Sequence, residues 1–253
     1  MTIVVLYKWA FNPQDASVEA DGTVDWSRAK QAVSEYDTVA IEVGRRVADA
    51  TASMLVGVSV GRADLAAMLA RKAVMSRGLD EGVVVADDAT SGWNATDVAR
   101  TLATLVGRVP DPDLVLAGDV SVDEGAGIVP ALTAGYLGWP CLLDVVAMER
   151  SAQGWTVEQA VPGGTRTIAV TGPLVASVAT DAAKPRVPGV RGILAAGKKR
   201  VDVVPASEVP EPVSAVAVKQ RERPEAAHRA GRVFSGEDVA AQLVTALRAD
   251  GVL

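Results

Sequence analysis

The sequence predicts an α/β protein in which a mostly parallel central sheet is covered by helices on both faces, giving three layers. Strand-sized apolar segments alternate with helix-length segments over the first 140 residues, a pattern typical of right-handed βαβ crossovers. Residues 3–7 form a continuous, largely β-branched run of the kind found in buried parallel strands. Aromatic residues make up only 4% of the chain, and the dominant small residues pack helices closely on a sheet.

Composition excludes several classes of protein. The 253 residues suffice for a full core, and no apolar run approaches the length of a membrane span, so we expect a soluble protein without membrane insertion. The N-terminus lacks the features of a signal peptide, and Cys141 is the only cysteine, which predicts a cytoplasmic location. A net charge of −6 argues against a nucleic-acid partner. One histidine and one cysteine exclude the usual metal sites; His228 is expected in solvent and Cys141 as a small buried hydrophobe.

The N-terminal elements follow one another at the spacing of βαβ units. After the first strand comes a long segment, residues 8–34, with little periodicity, and ordered loops of that length are often functional. Asp97 lies in the first turn of a later helix, where the helix dipole favours an acid. The elements predicted from residue 36 onward are helix 36–50, strand 54–59, helix 63–76, strand 82–86 and helix 94–106.

A candidate phosphate site lies within residues 113–140. A strand over 114–117 runs into a Gly/Asp-rich loop, and a helix follows over 129–137. Gly125 and Gly127 would let backbone amides approach a ligand, and the free N–H groups of the first helical turn favour a phosphate. Pro130 suits that turn because it has no donor to leave unpaired. The loop is neither GxGxxG nor GxxxxGK[ST], and a plain turn is the other interpretation.

Parallel strands end at one edge of their sheet, and ligands bind there. The loops after Tyr7, Ser59, Ala86 and Ala117 are therefore expected to share one rim.

The pattern changes after Pro140. Four strands are predicted there and interpreted as an antiparallel extension of the same sheet, with a hairpin turn at residues 162–164. Residues 1–204 would form the nucleotide-binding domain, and residues 205–253 an extended arm and a final helix, 236–248, capped by Ser235. The other predicted elements are strands 141–148, 155–160, 166–170 and 174–178, a loop and short basic helix over 185–200, and strand 201–204.

The order and spacing of several motifs over the whole chain resemble the β subunits of electron transfer flavoproteins, and within them the FixA-type branch associated with anaerobic carnitine metabolism. That resemblance implies a Rossmann-like fold of the adenine nucleotide alpha hydrolase-like kind. The motifs are VVLYKW near the start, DWSRAKQAVSEY at 25–36, MSRGLDE at 75–81, DLVLAGD followed by LGWP, KPRVPGVRGILAAGKKRVDVV, the KQRER of the arm and the closing helix.

The resemblance implies a heterodimer with an α subunit whose FAD lies against the β subunit and is shared between the two chains. The β subunit itself would hold AMP or a second FAD, and FixA-type kinship favours FAD. The positions that correspond to the cofactor-binding site are Leu6, Tyr7, Lys8, Ser34, Tyr36, Asp37, Val60, Asp119, Asp123, Glu124, Gly125, Ala126, Gly127, Ile128, Val129, Pro130 and Thr133.

Three departures from the family pattern leave the identity of the nucleotide open. Ile128-Val129-Pro130 stands where many members have Gln-Val-Gly or Gln-Thr-Gly, although amides from Gly125 to Val129 would still hold a phosphate. Gln159 replaces an arginine, and Pro162 replaces an acid beside the hairpin turn.

Other side chains carry two interpretations each. Lys8 would pair with a phosphate or flavin, or stay solvated. Tyr36 and Phe11 would line the flavin edge of the subunit interface, or fill the core. Lys198, Lys199 and Arg200 suit a transient interface or a solvated helix end. The segment that corresponds to the loop with which family members grip their dehydrogenase partners contains Arg186, Val190, Arg191, Ile193 and Leu194.

The functional prediction is an electron-transfer subunit without catalytic residues. It would pass electrons between flavin dehydrogenases, or ferredoxin and NADH, and a quinone or acyl-CoA-type acceptor, because the cofactor carries the chemistry. The alternative is a stand-alone adenosine-nucleotide-binding regulatory module of similar fold. A third hypothesis, an ATP-cleaving enzyme, would want a Gly-Gly-x-Asp-Ser phosphate loop, which residues 59–62 do not supply.

Overall fold

A nine-stranded sheet with helices on both faces dominates the computed structural model, which describes residues 1–213, 219, 225 and 231–253. This is the three-layer α/β class that the sequence predicts. The helices are α1 (Glu35–Thr51), α2 (Met68–Met75), α3 (Ala95–Val106), α4 (Val129–Leu137), α5 (Val190–Ala196) and α6 (Val239–Ala249). The strands are β1 (Thr2–Leu6), β2 (Trp9–Phe11), β3 (Ser17–Val18), β4 (Val24–Asp25), β5 (Gln31–Val33), β6 (Met54–Gly61), β7 (Glu81–Ala86), β8 (Pro112–Gly118), β9 (Cys141–Ser151), β10 (Gly154–Val161), β11 (Gly164–Val170), β12 (Leu174–Val178) and β13 (Val201–Val203).

The strand order is β11-β10-β9-β12-β8-β1-β6-β7-β13. β1 pairs in parallel with both β6 and β8, so the carboxyl ends of these three strands meet at one edge. The antiparallel extension is confirmed for β9, β10 and β11. It is wrong for β12, which lies between β8 and β9 and is parallel to both. All five residues of β12 are buried, as is usual for a central parallel strand.

Two hydrophobic clusters fill the space between the sheet and its helices. Alternate residues of β1 point to opposite faces, so Ile3 belongs to one cluster and Val4 to the other. The first cluster packs against α1, α2 and α5, and the second against α3 and α4. Trp155, fully buried, anchors the antiparallel extension in the first cluster, and its indole N–H donates to the Asp113 carbonyl at 3.3 Å.

The segment over residues 8–34 is more regular than its sequence indicates. β2 pairs with β5, and β3 pairs with β4, as two small antiparallel ladders outside the main sheet. Phe11 and Trp26 pack against each other across these ladders, with ring centroids 5.8 Å apart. Short ladders of two or three residues are too brief for a period of two to be recognised in the sequence.

Two helices have other bounds in the structure than the sequence predicts. The helix expected over residues 63–76 is broken at Ala67, whose backbone is extended, into a 3-10 turn (Ala63–Ala66) and α2. Ser235 does not cap the last helix. Gly236 has a φ of +104°, which a right-handed helix does not allow, and α6 begins at Val239 after the cap residue Asp238.

The beginning of the arm is bound to α3. The Asp97 carboxylate accepts a hydrogen bond from the Val213 amide at 2.8 Å, and Arg108 pairs with Glu208 at 3.1 Å. Val209 is buried in the second cluster. The division of the chain at residue 204 stays a prediction, and His228 lies outside the described residues.

Within the described parts of the chain, no helix combines the length and the apolar character that crossing a membrane requires. Those same parts contain no cluster of three or more residues suited to hold a metal ion.

Candidate functional site

The carboxyl edge of the sheet carries the candidate site, as predicted. The ammonium group of Lys8, just beyond β1, lies 2.9 Å from Asp123 Oδ1 in the loop that follows β8. Glu124 is the second partner of Lys8, at 3.7 Å. Lys8 is therefore only partly solvated, with 35% of its side chain exposed, and it holds the loop against the end of β1; its pairing with a phosphate stays a prediction.

Asp37 joins three elements at the centre of this rim. Its Oδ2 accepts the Lys8 amide at 2.7 Å, and its Oδ1 accepts the Gly118 amide at 3.2 Å. The carboxylate thus connects the first turn of α1 to the ends of β1 and β8. Burial raises the pKa of Asp37 to about 7, and the hydrogen bonds from Lys8 and Gly118 oppose that rise.

The Gly-rich loop leads into α4 with a run of unpaired amides. Gly125 and Gly127 have φ values of +62° and +65°, a left-handed conformation that favours glycine. The Gly125 amide itself donates to the Ser121 carbonyl at 3.0 Å, so the prediction that it is available to a phosphate is wrong. No acceptor among the described residues pairs with the amides of Ala126, Gly127, Ile128 and Val129.

Two buried hydroxyl groups on the adjoining helices lack a partner among the described residues. Ser34 is 1% exposed and stands at the N-cap position of α1, yet its Oγ does not cap the helix. Thr133, in α4, is fully buried, and its Oγ1 is also unpaired. Buried hydroxyls are normally hydrogen-bonded, so both atoms are exceptions, although neither is accessible to a ligand in this structure. Pro130 lies in the first turn of α4, as predicted.

Asp119 interacts with residues of the neighbouring strands rather than with open solvent. Its Oδ1 accepts the Ser177 hydroxyl at 2.7 Å, and the same hydroxyl accepts the Asp144 amide at 3.2 Å. Asp144 has a φ of +54° at an irregularity in the β9–β12 pairing. Burial and the nearby Asp144 carboxylate raise the pKa of Asp119. Ser177 and Asp144 could not be singled out beforehand, because both lie inside predicted strands.

The end of β1 offers little to a ligand. The side chains of Leu6 and Tyr7 belong to the two hydrophobic clusters. The Tyr7 amide donates to the Val58 carbonyl at 3.1 Å, and its carbonyl accepts the Ser59 hydroxyl. The Lys8 carbonyl accepts the Ser34 amide at 3.0 Å. Val60, on β6, packs against the second cluster.

The two aromatic candidates, Tyr36 and Phe11, lie in different parts of the structure. Tyr36 is half-buried and borders a concavity of about 300 Å³ at the start of α1. Phe11 lies in the small β2–β5 ladder against Trp26, outside the main core. The residues that line the concavity are Glu35, Tyr36, Thr38, Val39, Thr180 and Pro185.

The candidate partner surface is exposed on α5. Val190 is 75% exposed and Leu194 is 63% exposed, and Ile193 and Arg191 also face solvent. Arg186 is instead engaged within the chain, because its guanidinium donates to Glu42 of α1 at 2.7 and 3.3 Å.

Lys199, near the end of this surface, is likewise held within the chain. Its ammonium group donates to the carbonyls of Met75 and Leu79, so the interpretation of a solvated helix end is wrong for this residue.

Gln159 occupies the position at which the family pattern has arginine, and a guanidinium is nevertheless present beside it. Arg166, directly opposite on β11, donates its Nε–H to Gln159 Oε1 at 2.9 Å. The Gln159 amide group in turn donates to the Leu143 carbonyl at 2.7 Å.

The comparison with protein families agrees with this geometry. A family model described as the electron transfer flavoprotein domain matches residues 21–209, which is well over half of the chain. Proteins of that family are flavin-associated electron carriers rather than catalytic enzymes, and they generally form heterodimers with an α subunit. Together, the fold and the match over residues 21–209 show that the chain belongs to the electron transfer flavoprotein domain family.

Proposed function

We propose that this chain is the β subunit of a heterodimeric electron transfer flavoprotein of the FixA-type branch. Its rim binds AMP or a second FAD, and the α subunit contributes the other FAD at the interface. The complex passes electrons between flavin dehydrogenases, or ferredoxin and NADH, and a quinone or acyl-CoA-type acceptor. The residues of this chain bind and orient the nucleotide and perform no bond-breaking chemistry.

The observation that carries this proposal is the run of unpaired amides from Ala126 to Val129. Such a run at the start of a helix forms a concave anion site, to which the helix dipole adds positive potential. A nucleotide supplies the matching group, since its phosphate accepts hydrogen bonds from backbone amides.

The flavin, when bound, supplies the redox chemistry of the complex. The chain restrains the loop that would contact it, because Lys8 pairs with Asp123. The exposed apolar side chains of α5 suit a transient interface with a dehydrogenase, in which a few central residues carry most of the affinity. The arm and α6 would pack on the α subunit.

Counting flavins in the purified complex tests the proposal. The chain is expressed together with a candidate α subunit, and a yellow complex with one copy of each chain is expected. One flavin per heterodimer together with released AMP identifies AMP as the ligand of the rim, and two flavins identify a second FAD. A chain that stays monomeric and colourless beside the α subunit would contradict the proposal.

The double variant Asp123→Ala, Gly127→Val tests the location of the site. Valine is strained at a φ of +65°, and loss of Asp123 releases Lys8, so the nucleotide of the rim is expected to dissociate. The flavin of the α subunit is expected to stay bound. Gly163→Val is a matched control, because Gly163 has a φ of +86° in the distant β10–β11 hairpin. Loss of both nucleotides together from the double variant would refute the assignment.

A stand-alone nucleotide-binding module is the second candidate, because the run of amides from Ala126 to Val129 forms without a residue of another chain. It predicts a stable monomer that binds AMP with equal affinity whether or not the α subunit is present. Calorimetric titration of AMP with and without the α subunit separates the two proposals.

A further inference from the structure

We infer that Asp37 is a positioning residue of the nucleotide site, not a ligand contact, and that its carboxylate fixes the phosphate-binding loop at two points. This inference rests on the proposed function, since it concerns how the same site is held ready. It assigns to Asp37 a role different from the ligand contact that the family resemblance implies.

The two fixed points follow from the contacts of a single side chain. Gly118 is the last residue of β8, where the loop departs, and its amide donates to Asp37 Oδ1 at 3.2 Å. The Lys8 amide donates to Oδ2 at 2.7 Å, and the Lys8 ammonium group holds Asp123 at 2.9 Å. Asp37 therefore anchors the loop directly at residue 118 and through Lys8 at residue 123. The unpaired amides begin three residues further on.

Asp37 has no means of reaching a ligand itself. The residue is 7% exposed, and each carboxylate oxygen already accepts one amide. The contact with Gly118 is so close that a Cβ at residue 118 would lie 2.6 Å from Asp37 Oδ1. No space remains there for a phosphate or a ribose.

The charge of Asp37 responds to pH in the physiological range. Burial raises its pKa to about 7, the neighbouring Asp123 carboxylate adds to the rise, and the hydrogen bonds from Lys8 and Gly118 together with the Lys8 ammonium charge oppose it. Other charged groups of this rim include Glu124, the second partner of Lys8, Glu35, in the first turn of α1, and Asp119, next to Gly118. A neutral carboxyl accepts amide hydrogen bonds more weakly than a carboxylate does. Protonation therefore loosens both anchors of the loop.

Binding and stability respond to this proton in opposite directions. The pKa of Asp37 is higher in the folded chain than in the unfolded chain, so its contribution to the free energy of unfolding falls as the pH rises from about 4 to about 7. Nucleotide affinity rises over the upper part of that range because the ionised carboxylate organises the loop. A residue that acted on binding only through overall stability would give the same direction for both.

The experiment is a titration of the full chain with FAD by calorimetry at pH 6, 7 and 8. FAD is the probe because its pyrophosphate has no ionisation in this pH range, whereas the phosphate of AMP has a pKa near 6. If the ionised form alone binds, a pKa of about 7 predicts about tenfold weaker binding at pH 6 than at pH 8. Asp37→Asn is expected to bind at all three pH values no more tightly than the wild type does at pH 6, and without a slope.

Asp119→Asn tests the rival acid rather than serving as a neutral control, because Asp119 is itself a candidate site residue whose pKa burial raises: its affinity for FAD can fall, but the fold-change between pH 6 and pH 8 should stay that of the wild type. Equal affinity and an equal slope in Asp37→Asn would overturn the inference. If Asp37→Asn does not fold, the wild type and Asp119→Asn decide the question. An affinity of the wild type that does not change with pH would overturn the inference, and so would a pH dependence that disappears in Asp119→Asn. Absence of FAD and AMP binding by the wild type at every pH would instead defeat the proposed function.

Discussion

Gly118 and Asp37 meet at the carboxyl edge of the sheet, and their contact restricts residue 118 to glycine. An added Cβ would lie 2.7 Å from the Tyr36 carbonyl carbon and 2.8 Å from the Asp37 nitrogen. Both are backbone atoms of the first turn of α1 and have no rotamer with which to move away. The closeness of β8 to α1 therefore depends on the absence of a single methyl group.

We predict that Gly118→Ala lowers the free energy of unfolding by about 1–3 kcal/mol, because the first turn of α1 must shift to admit the methyl group. Urea denaturation followed by circular dichroism measures this loss. Gly135→Ala is the control: Gly135 lies within α4 with nothing within 4 Å of an added Cβ. That control should raise stability by up to about 1 kcal/mol through helix propensity. Equal stability of both variants would show that α1 does not constrain residue 118.

The sequence indicated some of these residues and not others, for reasons of distance along the chain. Gly125 and Gly127 could be predicted because a Gly-rich turn between strand and helix is local. Asp37 lies 29 positions from Lys8 and 81 from Gly118, so the hydrogen bonds that decide its role depend on the folded sheet. The pairing of Lys8 with Asp123, 115 positions away, could not be predicted either, because it also depends on the folded sheet.

At the scale of elements, the Glu42–Arg186 pair connects α1 to the segment that precedes α5. The Glu42 side chain is 9% exposed, and it accepts hydrogen bonds from Arg186 and from Arg46. Burial favours the neutral form of Glu42, but the hydrogen bonds from Arg186 and Arg46 outweigh burial and lower its pKa. The pair holds the chain just before the exposed residues of α5.

We predict that Glu42→Gln lowers the free energy of unfolding by about 1–2 kcal/mol at pH 7, because a neutral amide cannot accept both guanidinium contacts as strongly. The pKa of Glu42 is lower in the folded chain than its ordinary value of about 4.5, so its contribution is fully present above that pH. The contribution is lost as the pH falls through the lowered pKa. Thermal unfolding between pH 3 and pH 7 should therefore show a difference between variant and wild type that shrinks in acid.

The control for this series is Glu19→Gln, since Glu19 is exposed and its side chain makes no contact with a charged or hydrogen-bonding group among the described residues. Its stability should follow the wild type at every pH. A Glu42→Gln difference that grows as the pH falls would contradict the assigned role of the pair.

Element boundaries were predictable where local chemistry sets them. α4 begins and ends as predicted, with Pro130 in its first turn and Gly138 in a left-handed conformation just after it. The direction of β12 was not predictable, because a five-residue apolar strand is equally suited to parallel and antiparallel pairing. The predicted start of the last helix at Gly236 was wrong. Gly236 has a φ of +104°, which a right-handed helix does not allow, and α6 begins at Val239.

At the scale of the whole molecule, the rim draws on both faces of the sheet. α1 packs on one face, against β8, and α4 packs on the other, against β12, the strand next to β8. A ligand of the rim would therefore connect the two outer layers, so we expect nucleotide binding to stabilise the whole α/β body rather than one helix.

The last helix, α6, is exposed to solvent along its length. No residue of α6 is buried, and Val239, Leu243 and Val244 are each 38–44% exposed. We predict that deleting residues 231–253 changes the free energy of unfolding of the body by less than about 0.5 kcal/mol, as is usual for surface positions. Affinity for the α subunit should fall at least tenfold, because apolar helix residues exposed in the free chain become buried on association. Urea denaturation of the free chain and calorimetric titration with the α subunit measure the two quantities separately. A deletion that unfolds the body would place α6 within the core of this chain, and unchanged affinity would exclude it from the interface.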